Sequence, residues 1–319
     1  MKREEILCIG VALLDLPLGP IDENVFRQET TMLPKIPLTT GGDALNQATI
    51  LRRLGEKVAL IGHIGDDRLG RQLLYHCWQE GIDADSMVVE KGAETRINVV
   101  LVTPDGQRSF LKNDTAVSRP FQSGDIDLER VKRAKAVSLA SLFASKLRDP
   151  AFITQVLTTA KAAGAITFAD TVPPNDPTPD GDPSAKRGAD VFASMLPYLP
   201  YIDFLTPNQE EASILTGEAD PKTAAARFLE AGLGSSTQGG TVVIKLGADG
   251  CLITTRTQSI HVEGYLAKTI DTTGAGDTFA AAFLSAILGG KSHEEAGRLA
   301  NRLAARSTEH LGATPKEIW

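Results

Sequence analysis

The sequence predicts an α/β sandwich: a mostly parallel sheet covered by helices on both faces. Three observations predict it. Short apolar runs at 6–11, 58–62, 136–142, 165–170 and 202–206 alternate with segments of helical periodicity at 43–54, 67–80, 149–163 and 208–216. Runs such as Ile6-Leu7-Cys8-Ile9, apolar at every position, suit strands buried on both faces better than strands with one wet side. No repeat of 20 to 50 residues is visible, which removes solenoids and propellers.

With 319 residues and 42% apolar content the chain can bury one large core, so a single domain spanning 1–319 is expected. A net charge of -7 argues against nucleic acid or an anionic membrane as the main partner. The three cysteines, Cys8, Cys77 and Cys251, are far apart and lack CxxC spacing, so they read as reduced, buried, small apolar residues. Met1-Lys2-Arg3-Glu4-Glu5 mixes both charge signs and runs into a strand pattern, unlike a cleavable signal. The longest apolar run, near 279–288, is too short to span a bilayer, and a cytoplasmic protein is expected.

Two insertions, at about 13–40 and 95–115, break the alternation. The first is rich in Pro and acidic residues, and Asp15 in it follows the first strand, where open α/β sheets bind ligands. The second alternates apolar and polar positions around Pro104-Asp105-Gly106 and reads as a hairpin over Thr95–Asn113, either a flap over a ligand or a surface decoration. Its Arg96, Asn98, Arg108 and Lys112 either meet an anionic group or face water along an exposed edge. Pro173–Gly188, dense in Pro, Asp and Gly, reads as a surface loop.

The helix at 208–216 opens with Asn208 and Glu211, three apart, a capping-box spacing that also puts both on one face. Thr241–Thr255 holds two strand patterns around Gly247-Ala248-Asp249-Gly250, and Lys245 ends the first, where a lysine is ordinarily solvated. Gly290-Lys291-Ser292 is not a Walker A motif, because Ser285 stands where that motif needs Gly. Ser292 and Glu295 instead cap a last helix over about 293–309.

Chemistry concentrates in Asp271-Thr272-Thr273-Gly274-Ala275-Gly276-Asp277-Thr278-Phe279, which runs into apolar Ala280–Leu288 and stops at Gly289-Gly290. Glycines start a helix poorly, each giving up roughly 1 kcal/mol against alanine, and Ser, Thr or Asp caps better. Two of them around Ala275 make sense where an anion must approach the unpaired N–H groups of a first turn. Asp277 follows at once, where the helix dipole favours a carboxylate. Accepting the proton of a hydroxyl that attacks phosphorus is the work such a group can do there.

The stretch DTTGAGDTFAAAF resembles the C-terminal signature of the ribokinase-like, phosphofructokinase-B type carbohydrate kinases. Gly41-Gly42-Asp43-Ala44-Leu45-Asn46-Gln47-Ala48, continuing to Leu54-Gly55, resembles their first signature. The similarity extends over essentially the whole chain. It implies a ribokinase-like three-layer α/β/α sandwich with a small β-sheet lid that often makes a dimer contact. It also implies an ATP- and magnesium-dependent kinase of a sugar or sugar derivative. In that resemblance Asp277 is the base, and Gly274, Ala275 and Gly276 are the anion hole. Asp15, Gly41, Gly42 and Asn46 hold the sugar; beside that resemblance, Arg96 and Asn98 of the hairpin are candidate substrate contacts on their chemistry alone. Asn208 and Glu211 place magnesium through water, while Lys245, Gly247, Gly250 and Asn301 line the nucleotide. Asp271, Thr273 and Gly312 surround a possible monovalent cation such as potassium. The family often carries Asp-Pro-Asn-x-Arg where this chain has Asp170-Thr171-Val172-Pro173, so no role is carried over there. A nucleoside kinase on the same fold, or a catalytically silent sugar-binding regulator, stands as the alternative.

Overall fold

The computed structural model describes residues 5–104, 107–113, 116, 119–144, 147–172, 184–237, 239–316 and 318, with the backbone alone for 108 and 184–187. The chain begins with β1 (Glu5–Ile9), β2 (Leu13–Leu18) and β3 (Thr39–Gly41), followed by α1 (Asp43–Arg53). Next come β4 (Lys57–Ile61), β5 (His63–Gly65), α2 (Arg68–Glu80), β6 (Val88–Glu90), the hairpin β7 (Ile97–Val102) and β8 (Arg108–Lys112), and α3 (Leu128–Arg133). The middle holds β9 (Ala136–Leu142), α4 (Pro150–Ala162), β10 (Ile166–Thr171), α5 (Ser184–Met195), β11 (Phe204–Leu205), α6 (Gln209–Thr216) and α7 (Pro221–Glu230). The chain closes with β12 (Thr241–Lys245), β13 (Cys251–Thr254), β14 (Ser259–Val262), α8 (Ala275–Leu288) and α9 (His293–Ser307).

Eight strands form the large sheet in the order β14-β13-β12-β11-β10-β9-β1-β4. From β4 to β12 every pairing is parallel, and the last two strands join antiparallel at one edge. Successive side chains of a strand face opposite ways, so β1 feeds two cores. Leu7 and Ile9 pack with α4, α6 and α7, whereas Ile6 and Cys8 pack with α1, α2 and α8. This is why the strands read as unbroken apolar runs. All three cysteines are buried and unpaired, as their isolation in sequence implies.

The first insertion supplies β2 and β3 and the second supplies β7 and β8, which together make a four-stranded sheet, β3-β2-β7-β8. Register places Thr39, Asp15, Asn98 and Lys112 in one cross-strand row. Directly opposed residues share a face, so these four line the same side of this small sheet. Among the described residues no helix is long and apolar enough to cross a membrane.

Helix starts follow the capping residues of the sequence: Asp67 caps α2, Asp149 caps α4 ahead of Pro150, and Ser292 with Glu295 closes a capping box on α9. Some expectations need correction. The strand at 202–206 shrinks to Phe204–Leu205, because a 3-10 turn at Leu199–Tyr201 shortens its approach. Residues 184–188, read as loop, are the first turn of α5; the rest of that loop, 173–183, lies outside the described residues, as do Asp105 and Gly106 of the hairpin turn.

Candidate active site

Carboxyl ends of the parallel strands converge on the N-termini of α1, α6 and α8. Asp277 lies in the first turn of α8 and is 8% exposed. Its Oδ2 accepts a hydrogen bond from Asn46 Nδ2 at 2.8 Å, across 231 residues of sequence. The helix dipole does not act alone on Asp277. Burial, helped by the nearby charges of Asp43 and Asp170, lifts its pKa well above the usual range, and the opposing Asn46 bond and Lys245 charge are outweighed. A carboxyl with raised proton affinity is a better match for a base working near neutral pH.

The turn before it is shaped by close contact. Gly274 has φ 73°, and a Cβ there would sit 2.3 Å from Ala313 O, so only glycine fits. Ala275 N–H reaches Thr272 O at 3.3 Å and is partly used inside the turn. The next N–H groups, of Gly276 and Asp277, have no earlier turn to bond. A Cβ on Gly276 would lie 3.5 Å from Lys245 Nζ, which puts an ammonium group against the cradle.

Lys245 is therefore not the solvated strand end its position suggests. Its side chain is only 13% exposed and donates to Asp170 Oδ1 at 2.7 Å. Burial alone would lower its pKa, but Asp170, Glu211 and Asp277 outweigh that and hold the cation above its ordinary range. Asp170 also accepts from Gln47 Nε2 at 3.2 Å and Thr206 Oγ1 at 3.0 Å. Sequence reading assigned nothing to Asp170 or Gln47. The departure from the familiar pattern after β10 hid the first, and an amide inside a helix carries no signal of its own.

Asn208 and Glu211 do form a capping box on α6. Glu211 N–H donates to Asn208 Oδ1 at 2.8 Å, and Asn208 N–H donates to Glu211 Oε2 at 2.9 Å. Lys245 N–H bonds Pro207 O at 2.9 Å, which fastens this helix start beside the lysine. Thr171 Oγ1 donates to Glu211 as well, and burial pushes its pKa up to about 7. Among the described residues no group of three His, Cys, Asp or Glu could hold a metal ion. One buried carboxylate with remaining acceptor capacity fits a magnesium ion held mainly by phosphates and water.

On the side of the small sheet, Asn98 Nδ2 donates to Asp15 Oδ1 at 2.9 Å, and a Cβ on Gly41 would fall 2.0 Å from Asp15 Oδ2. The carboxylate thus lies directly over that glycine, next to Gly42, which precedes α1 and its Asn46. Burial raises the Asp15 pKa against the lowering effect of Asn98. Asn46 Oδ1 and Asn98 Oδ1 are both buried acceptors without a donor among the described residues. Hydroxyl groups are the donors such a pair suits. Arg96 precedes β7 and is half-buried, Lys112 is exposed at the end of the Asp15 row, and the Arg108 side chain lies outside the described residues.

Gly247 and Gly250 bracket the short turn between β12 and β13, which begins just after Lys245. Asn301, expected to line the nucleotide, is buried on α9 and spends both amide hydrogens on Val262 O and Glu263 O, each at 3.0 Å, which ties α9 to the end of β14. Asp271, Thr273 and Gly312 do meet. Asp271 Oδ1 accepts from Thr273 Oγ1 at 2.6 Å and Oδ2 accepts from Gly312 N–H at 2.9 Å.

Known proteins share this arrangement of chain. The family model described as pfkB family carbohydrate kinase matches residues 3–319. An uncharacterized sugar kinase of Archaeoglobus fulgidus is 32% identical over 82% of this chain and 96% of its own. The ribokinase of Haemophilus influenzae is 30% identical over 89% and 86%. A solved structure of Arabidopsis thaliana ribokinase complexed with ribose and ATP superposes with a TM-score of 0.75 at 27% identity, covering 98% of this chain and 95% of that one. The chain accordingly belongs to the pfkB family of carbohydrate kinases, phosphotransferases that act on a sugar hydroxyl.

Proposed function

We propose that this protein transfers the γ-phosphoryl group of ATP to a hydroxyl of a sugar or sugar derivative, with Asp277 as general base. One observation carries the reading: the 2.8 Å bond from Asn46 to Asp277 joins the sugar-side helix α1 to the anion-side helix α8. A hydroxyl gripped by Asp15, Asn46 and Asn98 then lies within reach of the base, with Gly41 and Gly42 clearing the approach. Asp277 takes the hydroxyl proton, the sugar oxygen forms its bond to the γ-phosphorus, and the bond from that phosphorus to the β,γ-bridging oxygen breaks, leaving ADP. N–H groups of the Gly274–Gly276 turn and the Lys245 ammonium meet the charge on the transferring group. Magnesium, when bound with ATP, neutralises the phosphates; Asn208 and Glu211 would hold its waters. Gly247 and Gly250 border the nucleotide. A potassium-like ion beside Asp271, Thr273 and Gly312 belongs to the same reading, and comparing potassium with tetramethylammonium chloride in the assay tests it.

The lid closes over the sugar and excludes water from the transfer. Its polar row of Thr39, Asp15, Asn98 and Lys112 favours a small hydroxylated substrate over a nucleobase. Phe110 and Leu111 on the edge strand β8 are both more than half exposed, which suits a homodimer through the lid. Such an enzyme works where ATP is, in the cytoplasm.

A coupled assay of ADP release with pentoses, hexoses, ketoses, sugar acids and nucleosides tests the proposal. Sugar-dependent turnover is the expected result. Turnover with nucleosides alone, or with none of the panel, would contradict it.

A further inference from the structure

Among the described residues only two that are not glycine hold left-handed backbone angles: Ser141 at φ 71° and Phe143 at φ 77°. Side-chain-bearing residues adopt that conformation at a cost, and they persist in it where the surroundings over-determine them, often at functional sites. Both lie at the carboxyl end of β9, which runs between β1 and β10 in the large sheet. The twisted backbone brings Ser141 Oγ to Asp43 Oδ2, to which it donates at 2.5 Å.

Asp43 is the first residue of α1, three before Asn46 and therefore on the same helical face. An acidic residue at that position ordinarily serves its own helix start. Here its hydrogen bond goes to a residue 98 positions away on another element. The charges facing Asp43 are Asp15 from β2, Asp170 from β10 and Lys245 from β12; those facing Asp277 are Asp43, Asp170 and Lys245. Lys245 is engaged by Asp170, whereas the charge of Asp43 has a neutral hydroxyl as its partner.

We propose that Asp43, held in place by Ser141, is a positioning residue that sets the proton affinity of the base. It deepens the function proposed above and rests on the assignment of Asp277. Asp43 shares a helical face with Asn46, whose amide bonds Asp277 at 2.8 Å, and two buried carboxyl groups brought together in this way cannot both ionise easily, so the pair keeps one proton to a higher pH than an isolated carboxylate would. The base thereby reaches the proton affinity needed to draw a proton from a hydroxyl near neutral pH. In support, burial chiefly, and after it the Asp43 charge, raises the pKa of Asp277.

The test is the pH profile of kcat/KM for the wild type, Asp43→Asn and Ser141→Gly, with the best sugar and ATP. In Asp43→Asn the acid limb moves to lower pH by about one pH unit and the plateau falls several-fold. Ser141→Gly moves the limb the same way by less, because Asp43 without its donor is itself more readily protonated. Glycine also accepts the left-handed angle, so this variant keeps or gains thermal stability and carries the test even if Asp43→Asn does not fold. An acid limb that stays in place in Ser141→Gly and in any folded Asp43→Asn, with activity falling equally at every pH, overturns the inference and leaves a packing role. Asp277→Asn in the same series separates the two levels. If it is as active as the wild type, the base assignment itself fails; if it is inactive while the limb stays put in the other variants, only this inference fails.

Discussion

Two helices present their N-termini to the same crevice, and they are finished in opposite ways. At α6, Asn208 and Glu211 satisfy each other's backbone N–H groups, and the end is closed. At α8, Gly274 occupies the cap position with φ 73° and no side-chain cap. A free helix end is a poor element of stability, but it is a ready site for an anion. The contrast teaches where stability was given up. One end is sealed and helps build the site; the other is left open, as the phosphoryl cradle proposed above requires.

The largest departure from that picture should come from the sealed end. Glu211 carries a pKa of about 7 in the folded protein against 4.5 for the free side chain. Its folded state therefore keeps a proton over a range where the unfolded chain has lost it. Stability from this group is full below about pH 4.5 and drains away as pH rises through 7, by roughly 3 kcal/mol. Glu211→Gln keeps the box and removes the titration. Denaturation midpoints should then lose much of their fall between pH 5 and 7.5; an unchanged slope would mean Glu211 is ionised throughout.

At the open end, Gly276→Ala puts a methyl group 3.5 Å from Lys245 Nζ, an ordinary contact, into the cradle itself. The helix should gain up to about 1 kcal/mol from the better helix former. KM for ATP should rise about tenfold, near 1.4 kcal/mol. A variant that is more stable and equally avid would show that the cradle holds no phosphate. Smallest is the control at a distance. Ser292→Ala removes the capping box of α9 and should cost about 1 kcal/mol in urea unfolding with kcat unchanged. A change in kcat there would mean that helix ends in this protein are coupled to catalysis generally, and the contrast between α6 and α8 would lose its meaning.

The closed ends were legible because capping boxes are local: Asn208 with Glu211 and Ser292 with Glu295 announce themselves by spacing. The open end was legible for the opposite reason, two glycines where a cap should stand. Strands β1, β4, β9 and β10 were legible because burial on both faces makes most of their positions apolar, without the alternation of a strand that has one wet side. What sequence could not show depends on the third dimension. Lys245 looked like a solvated strand end, and only the sheet order, which sets β10 across β11 from β12, supplies Asp170 to draw it inward. Asp277 looked ionised from its place on a helix, yet the depth of the site, which no local pattern encodes, decides its proton affinity. Asn301 stood at an expected nucleotide position, but its orientation towards Val262 and Glu263 is set by how α9 packs on β14.

Asp277→Asn measures the central claim most directly, because it preserves shape and hydrogen bonding and removes only the capacity to take a proton. Turnover, read as ADP release at saturating sugar, is predicted to fall by roughly 10² to 10⁴. ATP affinity, read by calorimetry on the same sample, should stay within a few-fold. Near-normal turnover in that variant would contradict the account.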